Sequence, residues 1–318
     1  MKIRTPATDL LGIDLPIVQA GMSWASSASA LPLAVSSAGG LGVVAAGPMR
    51  LPDLSRVLDE VEHGTDRPFA VNLPLYRRGA DEVMDLLVAR RPRVLIASQG
   101  GPRRYLSRFR DVGTICLHVV TGVEHAVKAA EAGVDGLVVV GAEAGGHPAP
   151  NQVSTLVVVR AVAAAVPQLP VIASGGFADG AGLAAALALG AGAVQFGTRF
   201  LLSAEANVHR AYQESVLRAG IDGTRLVGRD LGPVRALANE FVERMVKLEE
   251  NGADLEARRA EFTRSTLRMA AHEGDVVHGK VEAGQSAGLI DSILPAGQIV
   301  RLLAEEYAAT LGRLPQPE

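Results

Sequence analysis

From residue 14 to about residue 205 one unit recurs: a short β-branched apolar run, a turn containing Gly or Pro, and an Ala/Leu-rich helical stretch. The apolar runs are Ile17–Gln19, Gly42–Val44, Phe69–Val71, Val94–Ala97, Ile115–Val119, Gly136–Val140, Val171–Ala173 and Ala193–Phe196. They are nearly continuous in apolar residues and do not alternate, which is what strands covered on both faces require. Helical stretches fall between them at about Ser27–Ala38, Leu54–Glu62, Ala80–Arg90, Arg103–Arg110, Val123–Ala132, Thr155–Val166 and Gly180–Leu189. Eight strands separated by helices predict an α/β chain folded as a closed (β/α)8 TIM barrel, in preference to a doubly wound sheet.

The character changes after about Ala206. Runs such as ANEFVERMVKLEE and LEARRAEFTRSTLRMAAHE predict a charged helical lid with no further strand. A Gly-rich stretch, Gly274–Gly288, then precedes an amphipathic helix at Ala296–Leu311. The expected organisation is therefore a barrel over residues 1–206, a helical subdomain over 207–275, and a returning loop with its C-terminal helix over 276–318.

Mean hydropathy is +0.22, high enough to test a membrane reading. The most continuous apolar stretch, Gly180–Val194, is shorter than the roughly 18–20 residues a spanning helix needs. The first residues, MKIRTPATDLLGIDLP, lack the apolar core of a signal peptide. With 31 Lys+Arg against 34 Asp+Glu the formal charge is −3, so no basic excess points to nucleic acid or to an anionic membrane. The single cysteine, Cys116, reads as core and excludes a disulfide framework within the chain or a cysteine-rich zinc site. A cytoplasmic protein is expected.

Active sites of such barrels lie on the loops that follow the strands. Small and polar residues concentrate there: Gly21, Met22 and Trp24 after the first strand, Asn72 after the third, Ser98–Gly101 after the fourth, and Gly141–His147 after the sixth. Ser174–Gly175–Gly176 follows the seventh strand, and Gly197–Thr198–Arg199 the eighth. Loops seven and eight commonly bind phosphate. Gly175 and Gly176 expose backbone N–H groups, a helix starting near Asp179 directs its N-terminus at an anion, and Thr198 adds a hydroxyl. Neither loop has a lysine, so a flavin mononucleotide or a phosphosugar suits it better than a triphosphate. Gly21 allows a tight backbone, while Met22 and Trp24 offer soft or aromatic surface to a ring. Asn72 can hydrogen-bond the edge of a heterocycle.

His147 follows Gly145–Gly146 on a loop and not on a helix face. An imidazole there can approach a planar ligand and trade protons near neutrality. His118, in the fifth strand, is placed to line the same site. His272 and His278 show no metal-ligand spacing, and no metal is expected. A Walker A loop, a Rossmann glycine fingerprint and a serine triad order are absent.

PIVQAGMSWASSASALPLAVSSAGGLGVVAAG, RPFAVNLPL, GAEAGGHP, PVIASGGFADGAGLAAALALGAGAVQFGTRFL and GKVEAGQSAGLI, in that order, resemble the nitronate monooxygenase (2-nitropropane dioxygenase) family. That family includes similar FMN-dependent enoyl-acyl-carrier-protein reductases and NADH:quinone reductases. The resemblance implies an FMN-dependent oxidoreductase in which His147 is the catalytic or substrate-facing histidine. Gly21, Met22, Asn72 and Gly146 would lie beside the flavin. Ser174, Gly175, Gly176, Gln195, Gly197 and Thr198 would hold its phosphate and ribityl chain, with Gln285 and Ser286 returning nearby. Oxidation of alkyl nitronates with O2 to a carbonyl compound and nitrite is the leading expectation; enoyl-thioester reduction by NAD(P)H and quinone reduction are the alternatives. A barrel that stores or senses FMN without turnover is the non-enzymatic one. The expected partners are a small-molecule substrate, NAD(P)H in the reductase case, and a second copy in a homo-oligomer; no nucleic acid or membrane partner is expected.

Overall fold

The computed structural model of the protein describes residues 1–315; the last three residues of the expected returning segment, 316–318, lie outside the described residues. Eight parallel strands form the barrel: β1 (Ile17–Gln19), β2 (Gly42–Ala45), β3 (Phe69–Pro74), β4 (Val94–Ser98), β5 (Ile115–Val120), β6 (Gly136–Val140), β7 (Val171–Ser174) and β8 (Ala193–Phe196). From β2 to β8 each pairs with the next, and β1 pairs with β8 in the register Ile17↔Val194. The circle closes between β1 and β2 through the Val18↔Leu41 bridge, where Gln19 N–H donates to the Leu41 carbonyl at 3.0 Å.

Successive strand residues point to opposite faces, so each strand feeds two cores. Val18, Val43, Ala70, Ile96, Leu117, Val138, Ile172 and Ala193 fill the barrel interior. Ile17, Val44, Val71, Leu95, Cys116, Leu137, Ala173 and Val194 face the surrounding helices. This double burial explains the continuous apolar runs, and it leaves Cys116 in the core as expected.

One element escaped the sequence reading. The helix Pro6–Leu11 sends Ala7 and Leu11 into the interior cluster and plugs the end of the barrel remote from the site loops. Six residues carry too little periodicity to register, although Pro6 at its first position and the Thr5/Thr8 capping box mark its start.

The segment after the barrel corrects another expectation. It is not purely helical: β9 (Thr224–Val227) and β10 (Val234–Leu237) form an antiparallel hairpin among the helices Arg210–Leu217, Glu240–Glu250, Leu255–Arg264 and Leu267–Ala271. Both strands are four residues long and each carries an arginine, so neither reads as apolar; β10 is nevertheless buried throughout, Arg235 included. The hairpin and the Glu240–Glu250 helix share a small core of Val227, Val234, Ala236, Phe241, Val242 and Met245. The chain then returns along β10, with Leu237 N–H donating to Val281 O at 2.9 Å and Glu282 bridging Ala236. The final helix, Ala296–Arg313, buries Ile299, Val300 and Leu303 against the barrel helices Ala30–Ser37 and Gly180–Ala188. Among the described residues no helix is long and apolar enough to cross a membrane.

Candidate active site

A cavity of about 1120 Å³ opens at the C-terminal ends of the strands, roofed by the post-barrel segment. Gly21, Met22, Asn72, Gly146, His147, Ser174, Gly175, Gly176, Gln195, Gly197 and Thr198 all line it, so residues spread over 178 sequence positions meet at one place. Trp24, His118 and Ser286 join them. Gln285 does not; it is exposed on the outer side, where its N–H donates to Glu143 O at 3.0 Å.

The wall made by loops seven and eight is built of backbone donors. Gly175 and Gly176 sit at φ +103 and +82, a region side-chain-bearing residues avoid. The amides of Gly175, Gly176 and Gly197 find no acceptor among the described residues. Gln195 donates to the Ser174 hydroxyl at 3.0 Å, which fixes both side chains at the wall. Thr198 Oγ1 accepts from Gly284 N–H at 3.0 Å, so its own proton is left to donate. One expectation fails here. The helix Gly180–Ala188 does not offer its N-terminus to an anion, because Asp179 already accepts from Gly182 N–H and Glu306 from Gly180 N–H, each at 2.8 Å. An uncharged set of free amides and hydroxyls suits one phosphate better than several.

Beside that wall, Gly21 packs so closely on β3 that an added Cβ would lie 2.4 Å from Asn72 Cβ. Asn72 lies within β3, not after it; its amide donates to Ile96 O at 3.1 Å, leaving its carbonyl oxygen for a ligand. Trp24, at φ +69, turns its ring edge-on to His272 with centroids 5.5 Å apart.

The His147 loop is held from both sides. Glu143, the one acid near His147 in sequence, is not free for chemistry: it accepts from Thr155 N–H at 2.9 Å and Thr155 Oγ at 2.6 Å, capping the helix Thr155–Ala165. Gly146 exchanges two backbone hydrogen bonds with Arg235 of β10, at 3.1 and 2.7 Å. The Arg235 guanidinium donates to Ala142 O at 3.1 Å and to Gln152 Oε1 at 3.3 Å. Gly145 touches the returning chain, where an added Cβ would stand 2.5 Å from the Ala283 carbonyl carbon. His147 itself is exposed, with its imidazole in no hydrogen bond among the described residues.

Sequence reasoning missed the chemistry supplied by the returning chain. Glu282 lines the cavity, and burial pushes its carboxyl up, while His147 and Lys280 pull it partly back. The Lys280 ammonium lies 3.4 Å from the centre of the Phe262 ring, and burial brings its pKa down to about 8. His118 is buried with Nδ1 3.1 Å from the Tyr105 hydroxyl, and burial lowers its pKa. Lys280 and Glu282 stand in the GKVEAGQSAG segment, so a motif was visible there; what it faced was not.

The sequence profile of the nitronate monooxygenase family matches residues 4–85 and 76–306. A Mycobacterium tuberculosis protein named (3aS,4S,5R,7aS)-5-hydroxy-7a-methyl-1-oxo-octahydro-1H-indene-4-carboxyl-CoA dehydrogenase is 39% identical over 77% of this chain and 69% of its own. The nitronate monooxygenase of Paraburkholderia phytofirmans is 30% identical over 96% of each chain. Among solved structures, FabK from Thermotoga maritima superposes with a TM-score of 0.92 at 39% identity, covering 98% of each chain. Nitroalkane oxidase from Streptomyces ansochromogenes does so with a TM-score of 0.84 at 30% identity, covering 98% of this chain and 100% of its own.

Proposed function

The chain belongs to the nitronate monooxygenase family and is an oxidoreductase, and from that premise we propose that it binds FMN and acts on an acyl thioester, with His147 as its proton-transfer residue. The amides of Gly175, Gly176 and Gly197, with Ser174, Gln195 and Thr198, would take the phosphate and ribityl chain. Gly21, Met22, Asn72 and Gly146 would border the ring. When bound, FMN supplies reversible two-electron transfer. The protein's own part is to place the substrate and manage its proton. Oxidising a saturated thioester takes a proton from the carbon beside the carbonyl and a hydride from the next carbon; reduction, with NAD(P)H as electron donor, returns both. His147 holds or moves that proton, and its freedom from protein partners leaves both ring nitrogens available to substrate. Gly145 and Gly146 carry it to the cavity, and Arg235 holds the loop backbone in place before substrate arrives.

The observation that carries the substrate class is the size of the cavity. At about 1120 Å³ it exceeds the roughly 300–1,000 Å³ of an ordinary ligand pocket, which leaves room beside a flavin for much more than an alkyl nitronate. The name of the Mycobacterium tuberculosis relative, a carboxyl-CoA dehydrogenase, agrees with that class. Nitronate oxidation is the second reading, favoured by the Paraburkholderia and Streptomyces relatives. Anaerobic spectroscopy of the purified protein tests both. Flavin absorbance that co-purifies and bleaches with NAD(P)H, and is then restored by an unsaturated thioester, supports the first reading. Bleaching by an alkyl nitronate alone supports the second. Protein that never takes up FMN defeats both.

A further inference from the structure

We propose that Glu282 makes this site select a neutral substrate bearing its own hydrogen-bond donor, a hydroxyl or amide N–H beside the reacting carbon, and disfavour a free nitronate anion. The proposal rests on the oxidoreductase reading only for placing substrate next to His147. The carboxylate's position is fixed by its backbone. Glu282 bridges Ala236 of β10, and its carbonyl accepts from the Tyr212 hydroxyl at 2.7 Å. From there the side chain reaches the His147 loop, with Oε2 3.1 Å from the point where a Cβ on Gly146 would stand.

No donor among the described residues reaches that carboxyl, and it makes no ion pair. Lys280, two residues earlier, spends its ammonium over the Phe262 ring. The charged and titratable groups around Glu282 are His147 from the β6 loop, Lys280 from its own segment, Tyr76 from the β3 loop and Tyr212 behind it. The carboxyl is half-buried in the cavity wall with no protein donor on it, so it stands there as an unpaired acceptor and, when ionised, as a negative charge. That acceptor faces the cavity, so a ligand entering it can bring a donor within reach. A hydroxyl or amide N–H on a neutral thioester supplies it. A nitronate, whose negative charge is shared by two oxygens, meets like charge instead.

Propane-2-nitronate and 2-nitropropane test this, because they differ by one proton and little in shape. Their dissociation constants are measured by calorimetry at pH 9 on wild-type holoprotein, Glu282→Gln and Glu282→Met. Removing the carboxylate should tighten the nitronate by about tenfold while leaving 2-nitropropane within about threefold. The same variants should lose the wild-type preference for S-(3-hydroxybutanoyl)-N-acetylcysteamine over its S-butanoyl analogue. A change in the nitronate-to-nitropropane affinity ratio below about threefold in both variants overturns the proposal. Flavin absorbance recorded on the same samples separates the two readings. Flavin-free protein defeats the oxidoreductase reading, whereas the charge comparison is read from the anion and its neutral twin alone.

Discussion

Gly145→Ala is a test of how the active-site loop is held, because one methyl group falls on a backbone-to-backbone contact. The added Cβ would lie 2.5 Å from the Ala283 carbonyl carbon and 2.6 Å from Gly284 N, with no flexible side chain to swing aside. Ordinary contact needs about 3.4–4 Å, so the returning chain and the His147 loop must part by nearly an ångström. Overpacking of this kind costs about 1–3 kcal/mol. The parting also stretches the Gln285 N–H bond to Glu143 O, now 3.0 Å, worth about 1 kcal/mol. The sum, about 2–4 kcal/mol, corresponds to a fall in Tm of roughly 3–6 °C for a chain of 318 residues. FMN retention should weaken as well, since Thr198 is tied to Gly284 in the same contact. Gly101→Ala is the control: it lies at the same end of the barrel, at φ −83, and its added Cβ would meet nothing within 4 Å. It should be neutral or stabilising by about 0.4–1 kcal/mol. Differential scanning fluorimetry and flavin titration of both variants are the assay. Equal Tm values for the two, or a Gly145→Ala protein within about 1 °C of wild type, would refute the reasoning.

His147→Ala should keep fold and FMN but lose about 10²–10⁴-fold in single-turnover flavin reduction by substrate, whereas His147→Asn recovers part of it only if the role is orientation; a loss within about threefold removes the residue from the mechanism. Gly176→Ala forces a side chain into the left-handed region and brings a Cβ within 3.2 Å of Glu143 Cβ, so FMN affinity should fall at least about tenfold with unchanged circular dichroism; unaltered affinity would dismiss the amide cradle. Lys280 titrates near 8 in the fold against 10.5 when unfolded, so the folded protein sheds this proton first and the site's penalty fades as pH rises between those values. Lys280→Met should therefore be favoured over wild type more at pH 7 than at pH 10, and a Tm difference that does not change with pH contradicts this. Arg235→Met removes donors from Ala142 O, Gln152 and Thr224 and should cost about 2–4 kcal/mol, with KM for substrate raised through the loosened His147 loop; an unchanged melting curve would show that the Gly146 backbone pairing suffices.

The barrel could be read from sequence because strands buried on both faces must be apolar throughout, and the chain repeats that signature eight times. The position of the candidate cavity followed, since the C-terminal loops are the ones that carry Gly21, His147, Gly175 and Thr198, with Asn72 inside β3 beside them. The Pro6–Leu11 plug and the β9–β10 hairpin escaped for opposite reasons. The plug is too short to show a period. The hairpin hides its burial behind Arg225 and Arg235, of which Arg235 is buried because its guanidinium finds acceptors on distant segments.

Local pattern thus determined the elements, the loop that bears His147, and the glycines that bare their amides to the cavity. Hydrophobic periodicity and backbone conformation act over a few residues, so a linear reading captures them. Tertiary structure alone decided the electrostatics. Glu143, the acid nearest His147 in sequence, is consumed as a helix cap by Thr155. Glu282, 135 positions after His147, is the carboxyl that faces the cavity beside Gly146. The helix end that sequence offered to an anion is occupied by Asp179 and by Glu306 from the far end of the chain. Charge and hydrogen bonding depend on distance through space, and only the closed fold sets those distances.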